Sequence, residues 1–187
     1  MRGPYTEDPL ATPVVALSAK DYQSYLSIKS GIQKLRSTSR LETGIVFRGR
    51  ALSQNDYDRL FGVNSPQDIP IKGLVSATKD RAIAEEFAKL NFPGVQYRMV
   101  WKIKSKNGVY VDDISDWGQT LGPINHGNQP NIMIQQEVFM EEGLFRKVGQ
   151  PQPLIENGVI KRDANGIPWY EIELEELGTP LRSISQL

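Results

Sequence analysis

Val46-Phe47-Arg48-Gly49, Ser76-Ala77-Thr78 and Gln135-Gln136-Glu137-Val138 are the three runs on which the reading of this chain turns. Each is short and β-prone, so each reads as a strand or a strand end. Side chains alternate along a strand, which puts Ser76 and Thr78 on one face and Gln135 and Glu137 on one face. In this order the runs carry an arginine, a small hydroxyl and a carboxylate on separate strands. No other part of the chain proposes a chemistry.

A length of 187 residues suits one domain with a sizeable core. Basic and acidic residues number 22 each, so no bulk attraction to nucleic acid is visible, although a local basic groove stays open. Cysteine is absent, which removes disulfides, thiolate nucleophiles and cysteine-ligated zinc and leaves the redox compartment open. A single histidine, His126, argues against a histidine metal cluster or a Ser-His-Asp triad. No apolar run approaches the roughly 20 residues of a membrane span. The polar, proline-bearing start lacks the apolar core of a secretory signal. Residues 1–15 read as a flexible linker and 16–187 as a single domain. The start fits a domain cut from a longer polypeptide and equally an ordinary disordered terminus.

Outward from the three runs, Ser18-Ala19-Lys20-Asp21 has the form of a capping box. Tyr22, Tyr25, Leu26, Ile32 and Leu35 then recur at near-helical spacing, which predicts a helix to about residue 36. Its cations Lys20, Lys29, Lys34 and Arg36 read either as a solvated face or as partners for phosphate. Ser53-Gln54-Asn55-Asp56 caps a second helix that Gly62 closes. Residues 70–78 read as one strand, 80–90 as an Ala- and Glu-rich helix, and 95–104 as a strand. Asn107-Gly108 predicts a two-residue hairpin, and Asp163-Ala164-Asn165-Gly166 the turn of a last hairpin within 159–174. Residues 132–140 and 144–148 read as strands, and 112–131 as a long irregular loop bearing Trp117. Helices lead and strands dominate the second half, so the fold class is α+β with mostly antiparallel sheet.

Read together, the three runs resemble the arginine, Ser-Thr-Ser and (Gln/Glu)-x-Glu signature of the mono-ADP-ribosyltransferase toxins, over roughly residues 44–149. Ser76-Ala77-Thr78 departs from that signature by an alanine at its centre, which leaves the shared face of Ser76 and Thr78 intact. The resemblance implies an ADP-ribosyltransferase-like fold, with N-terminal helices around an NAD cleft, and a chain that moves ADP-ribose from NAD to a target with release of nicotinamide. It implies NAD as co-substrate and no metal.

Cleaving the nicotinamide–ribose bond is glycosidic chemistry, and it needs a preorganised carboxylate near developing positive charge. By the resemblance that carboxylate is Glu137, oriented by Ser76, with Gln135 meeting the acceptor. Arg48 would take the NAD pyrophosphate, because a permanently charged planar fork suits phosphate. Whether Arg48 or Arg50 faces the cleft depends on strand register; Arg48 is preferred because it follows the aromatic Phe47. Gly49 would let bare backbone approach the ligand. Thr78 reads as a second contact of the NAD site or as a helix N-cap. Phe87, in a Phe-Ala pair, reads as a ring beside the nicotinamide or as plain core. Glu141 and Glu142 read as solvated residues past a strand end.

Arginine-modifying relatives carry glutamate where this chain has Gln135, so the expected acceptor is an asparagine, glutamine or threonine of a host protein such as actin or a Rho GTPase. Trp117 would anchor that protein surface. The expected setting is a monomer, secreted or delivered into the host cytoplasm as in Tc- or Rhs-type systems, with no membrane partner. Guanine-directed transfer to nucleic acid, NAD glycohydrolysis and a catalytically silent binding module are the alternatives.

Overall fold

The computed structural model describes residues 19–71, 74–111 and 136–178. Among the described residues three helices, α1 (Ala19–Arg36), α2 (Gln54–Phe61) and α3 (Arg81–Ala88), accompany eleven strands. In chain order these are β1 (Leu41–Glu42), β2 (Ile45–Ser53), β3 (Asp68–Ile71), β4 (Val75–Thr78), β5 (Val95–Lys104) and β6 (Gly108–Tyr110). There follow β7 (Glu137–Met140), β8 (Gly143–Pro153), β9 (Ile155–Glu156), β10 (Val159–Ile160) and β11 (Trp169–Glu176). Nine of them form one sheet in the order β1-β6-β7-β4-β2-β5-β11-β8-β3, and β9 and β10 form a separate ribbon. All pairs in the large sheet are antiparallel except β5 with β11.

Alternation builds the core. On β2 and β5, Val46, Leu52, Met99, Trp101 and Ile103 turn to one face and are buried there with Val75, Val138, Phe145, Ile172 and Leu174. Helix α2 closes that face with Leu60 and Phe61, the latter edge-on to Trp101 with ring centroids 6.3 Å apart. Its start follows the capping box: Asp56 N donates to Ser53 Oγ at 3.2 Å, and Ser53 Oγ donates to Asp56 Oδ2 at 2.8 Å. Such a cap contributes about 1 kcal/mol. The opposite face carries α3 over β2 and β5, and α1 over β6, where Ile32 joins Leu74, Val109 and Val111.

Several expected elements changed. The strand read over 70–78 is two strands, β3 on the outer edge beside β8 and β4 between β7 and β2. Asn107-Gly108 makes no hairpin: β6 pairs with β1 and β7, and neither residue has positive φ. The segment is held instead by Glu176, whose Oε2 accepts from Lys106 N at 2.7 Å and Asn107 N at 2.9 Å. Gly108 is needed there for packing, since a Cβ would stand 2.6 Å from Ser105 Oγ and 2.8 Å from Val138 Cγ1. Asn157-Gly158, both with positive φ, make an unforeseen turn between β9 and β10, while the expected turn at Asp163-Ala164-Asn165-Gly166 forms the loop that follows: Arg162 bridges Pro168 antiparallel and Gly166 N donates to Asp163 O at 2.9 Å. Beyond that loop β11 does not fold back on its predecessor but inserts between β5 and β8.

Glu141 and Glu142 are not solvated. Glu142 is 6% exposed and accepts from Lys29 Nζ at 2.8 Å, and Glu141 accepts from Arg36 Nη1 at 3.0 Å. Two of the α1 cations therefore dock the helix onto the β7–β8 turn, and Arg36 Nε also donates to Asn107 O. Leu26, placed on the buried stripe by its spacing, is 38% exposed.

Candidate active site

The sheet is weakest between β2 and β4, which share one residue pair, Phe47 with Thr78. From there β2 continues along β5 and β4 along β7, so the strands part beyond that pair. Arg48 crosses the parting: its Nη1 donates to the carbonyl of Ser76 at 2.7 Å. Ser76 Oγ in turn donates to Glu137 Oε1 at 2.6 Å. Register explains the second contact. Thr78 pairs with Glu137 and Ser76 with Phe139, so Ser76 and Glu137 are diagonal neighbours on one face. Arginine, serine and carboxylate are thus joined in one chain of hydrogen bonds, and a hydroxyl donating to a charged oxygen is among the stronger kinds.

Glu137 is fixed from behind. Its carbonyl accepts from Val111 N at 3.0 Å, and that of Gln136 accepts from Lys79 N at 3.1 Å. Gln136 has φ 47°, in the left-handed region that costs a non-glycine residue about 1 kcal/mol. The extended backbone therefore begins at Glu137. Period-two alternation from Glu137 thus does not extend through Gln136, so it does not set the face of Gln135. Gln135 and Trp117 themselves lie outside the described residues.

Register does not choose between Arg48 and Arg50. They are two residues apart on an unbroken stretch of β2 and share a face, yet their side chains reach different groups. Arg50 lies over the Trp101 ring, 5.7 Å from its centroid, while Arg48 reaches Ser76. The bare side of Gly49 is filled by α3: a Cβ would stand 1.8 Å from Ala84 O and 2.6 Å from Ala88 N. Helix packing, rather than ligand approach, accounts for glycine at this position.

Thr78 is buried and its Oγ1 accepts from Asp80 N at 3.0 Å, while the N-cap of α3 is Asp80, accepting from Ala82 N at 2.8 Å. Phe87 is not core: it is 42% exposed. Helical residues advance by about 100° each. Ala84 and Ala88 face Gly49, and Arg81 and Glu85 flank them on the side of β11, where Arg81 pairs with Glu171. The same advance puts Phe87 on the other flank, the side of β4.

Three charged residues escaped the sequence reading. Lys79 pairs with Glu42 at 2.7 Å and lies over the Tyr110 ring. That bond from Lys79 holds the Glu42 carboxyl below its ordinary value, with the Gly44 amide helping against burial. Lys161 lies 2.7 Å from Glu85, and Arg98 is buried behind α3. For Arg98 the signal was available: it shares a strand face with Val100, so a charge was placed in an apolar position. Among the described residues no group of acidic, histidine or cysteine side chains gathers to hold a metal, and no helix is long and apolar enough to cross a membrane.

No protein-family model matches the sequence, and no curated protein does. Solved structures do. Vis toxin, an ADP-ribosyltransferase from Vibrio splendidus, is 16% identical with a TM-score of 0.58, over 94% of this chain and 67% of that one. The type III effector XopAI from Xanthomonas axonopodis pv. citri is 13% identical with a TM-score of 0.56, over 94% and 61%. The ADP-ribosyltransferase HopU1 of Pseudomonas syringae pv. tomato is 12% identical with a TM-score of 0.54, over 91% and 60%. The chain spans 59% of the Vis chain bound to the M6 inhibitor. Its fold is the ADP-ribosyltransferase fold, of the α+β class anticipated from the sequence.

Proposed function

We propose that this chain is a mono-ADP-ribosyltransferase that cleaves NAD and passes ADP-ribose to a neutral side chain, asparagine, glutamine or threonine, of a host protein such as actin or a Rho GTPase. The observation that carries the reading is the 2.6 Å bond from Ser76 to Glu137 at the parting of β2 and β4, with Arg48 bridging the same gap. The residues suit the substrate. A guanidinium answers a pyrophosphate, a carboxylate of fixed orientation answers a ribose hydroxyl and nearby positive charge, and an exposed ring on α3 answers a flat heterocycle. NAD supplies the bond to be broken. Glu137 stabilises the cationic character that develops at the ribose, and Ser76 keeps the carboxylate aimed while that happens. Preorganisation of this kind makes no demand for reorganisation during the reaction. The neutral Gln135 supports an acceptor other than arginine, since an arginine acceptor would gain from a carboxylate there. Delivery into a host cell is part of the same reading.

The test incubates the purified chain with NAD, with and without host lysate, and follows free nicotinamide and labelled protein in parallel. Label on protein with nicotinamide release is expected. Nicotinamide release without label makes the chain a glycohydrolase, and NAD left intact in both reactions would sink the proposal.

A further inference from the structure

Arg98 is 1% exposed, and a guanidinium so buried persists only where its donors are met. Its Nη1 donates to Ala88 O at 3.0 Å and to Leu90 O at 2.9 Å, and its Nη2 donates to Asn91 Oδ1. These acceptors belong to the last turn of α3 and the residues that follow it. A helix end leaves such carbonyls without partners and carries negative dipole charge, so a cation complements it twice over. On its other side Arg98 Nε donates to Asp163 Oδ2 at 2.9 Å. Asp163 is itself anchored, because its Oδ1 accepts from Asn165 N at 2.8 Å and Ile167 N at 3.0 Å. Helix α3 has eight residues, too few to hold a shape by helix propensity alone. Its C-terminal turn is placed by this grip, and Phe87 immediately precedes the Ala88 whose carbonyl is gripped.

We propose that Arg98 is a positioning residue for the candidate site: held by Asp163, it fixes the last turn of α3 and with it the exposed ring of Phe87 on the β4 flank of that helix. This rests on the reading of Phe87 as an aromatic wall of an NAD site. Arg98 touches no substrate and acts through the ring.

Asp163→Asn is the informative variant. Its amide oxygen still accepts from the Asn165 and Ile167 amides, while an NH2 replaces the oxygen that Arg98 uses. Asn91→Ala loosens the grip from the helix side without touching that loop, and it carries the test if Asp163→Asn does not fold. NAD affinity is read by calorimetry, kcat and KM by nicotinamide release, and folding by thermal melts. Each variant is expected to weaken NAD affinity and raise KM about three- to ten-fold with kcat little changed; in a Phe87→Ala background the same changes should shift affinity by less than about 1.5-fold. A purely structural role would lower the melting temperature and act equally in both backgrounds. Effects that multiply with Phe87→Ala, or unchanged affinity in folded variants of a wild type that binds NAD, would overturn the inference alone. A wild type that does not bind NAD would overturn the functional reading, and this inference with it.

Discussion

At the scale of single residues, the Arg48–Ser76–Glu137 chain assigns separable tasks. Ser76→Ala removes one hydrogen bond to a charged acceptor, worth about 1.5–3 kcal/mol, so kcat should fall roughly ten- to a hundred-fold. KM for NAD should move far less; steady-state nicotinamide release measures both. Glu137→Gln should lose most turnover, at a cost of about 3 kcal/mol or more in the barrier, with NAD affinity kept within a few-fold. Titration showing that Glu137→Gln abolishes NAD binding would contradict this division. Arg48→Lys should do the reverse, weakening NAD binding because an ammonium offers no planar fork. That these three residues would meet was legible because each stands in a short β-prone run whose neighbours set the strand. Lys79 and Lys161 were not legible, since their partners Glu42 and Glu85 lie far away in sequence.

At the scale of elements, two contacts hold the helices that flank the site. Gly49→Ala would drive a methyl to within 1.8 Å of Ala84 O, which α3 can relieve only by moving away from β2. The expected loss is about 3 kcal/mol, read as a drop in urea midpoint. On the other side Glu142→Gln removes the charge from the nearly buried acceptor of Lys29 and should cost about 1–3 kcal/mol, whereas the exposed Lys34→Ala should change stability by less than about 0.5. Equal effects at the two positions would show that α1 is not docked through this pair. Elements bounded by local chemistry were read well: the Ser53 cap, the stop at Gly62, and β5. Those set by partners were not. Asn107-Gly108 has the composition of a tight hairpin, but Glu176 on β11 takes its amides and β1 takes its strand. Residues 70–78 look continuous because nothing in composition says that β3 and β4 belong to distant parts of the sheet.

At the scale of the whole molecule, charge ties the pieces together and sets a pH dependence. Burial pushes the carboxyls of Glu85 and Asp163 up, yet Lys161 and Arg81 in the first case, and the Ile167 amide, Arg98 and the Asn165 amide in the second, leave both below their ordinary values. Depressed carboxyls bind fewer protons folded than unfolded, so their stabilisation is complete above the ordinary carboxylate value and is lost as pH falls through the folded values. Lys161→Met should therefore flatten the acid side of a urea-midpoint profile more than its neutral side; an unchanged slope would remove Glu85 from the acid response. The order of the sheet has a further consequence, for the history of the chain rather than its contacts. β1, β6, β7, β4, β2 and β5 can assemble on one side, and β8 with β3 on the other, but the seam between them is β11, the last in sequence of the described strands. Until residues 169–176 arrive, a growing polypeptide carries two half-sheets with open edges, each a template for the wrong neighbour. Pairing so remote along the sequence makes closure slow. Among the described strands, the one that joins the two halves is thus made after both of its neighbours, and the sheet closes only with it.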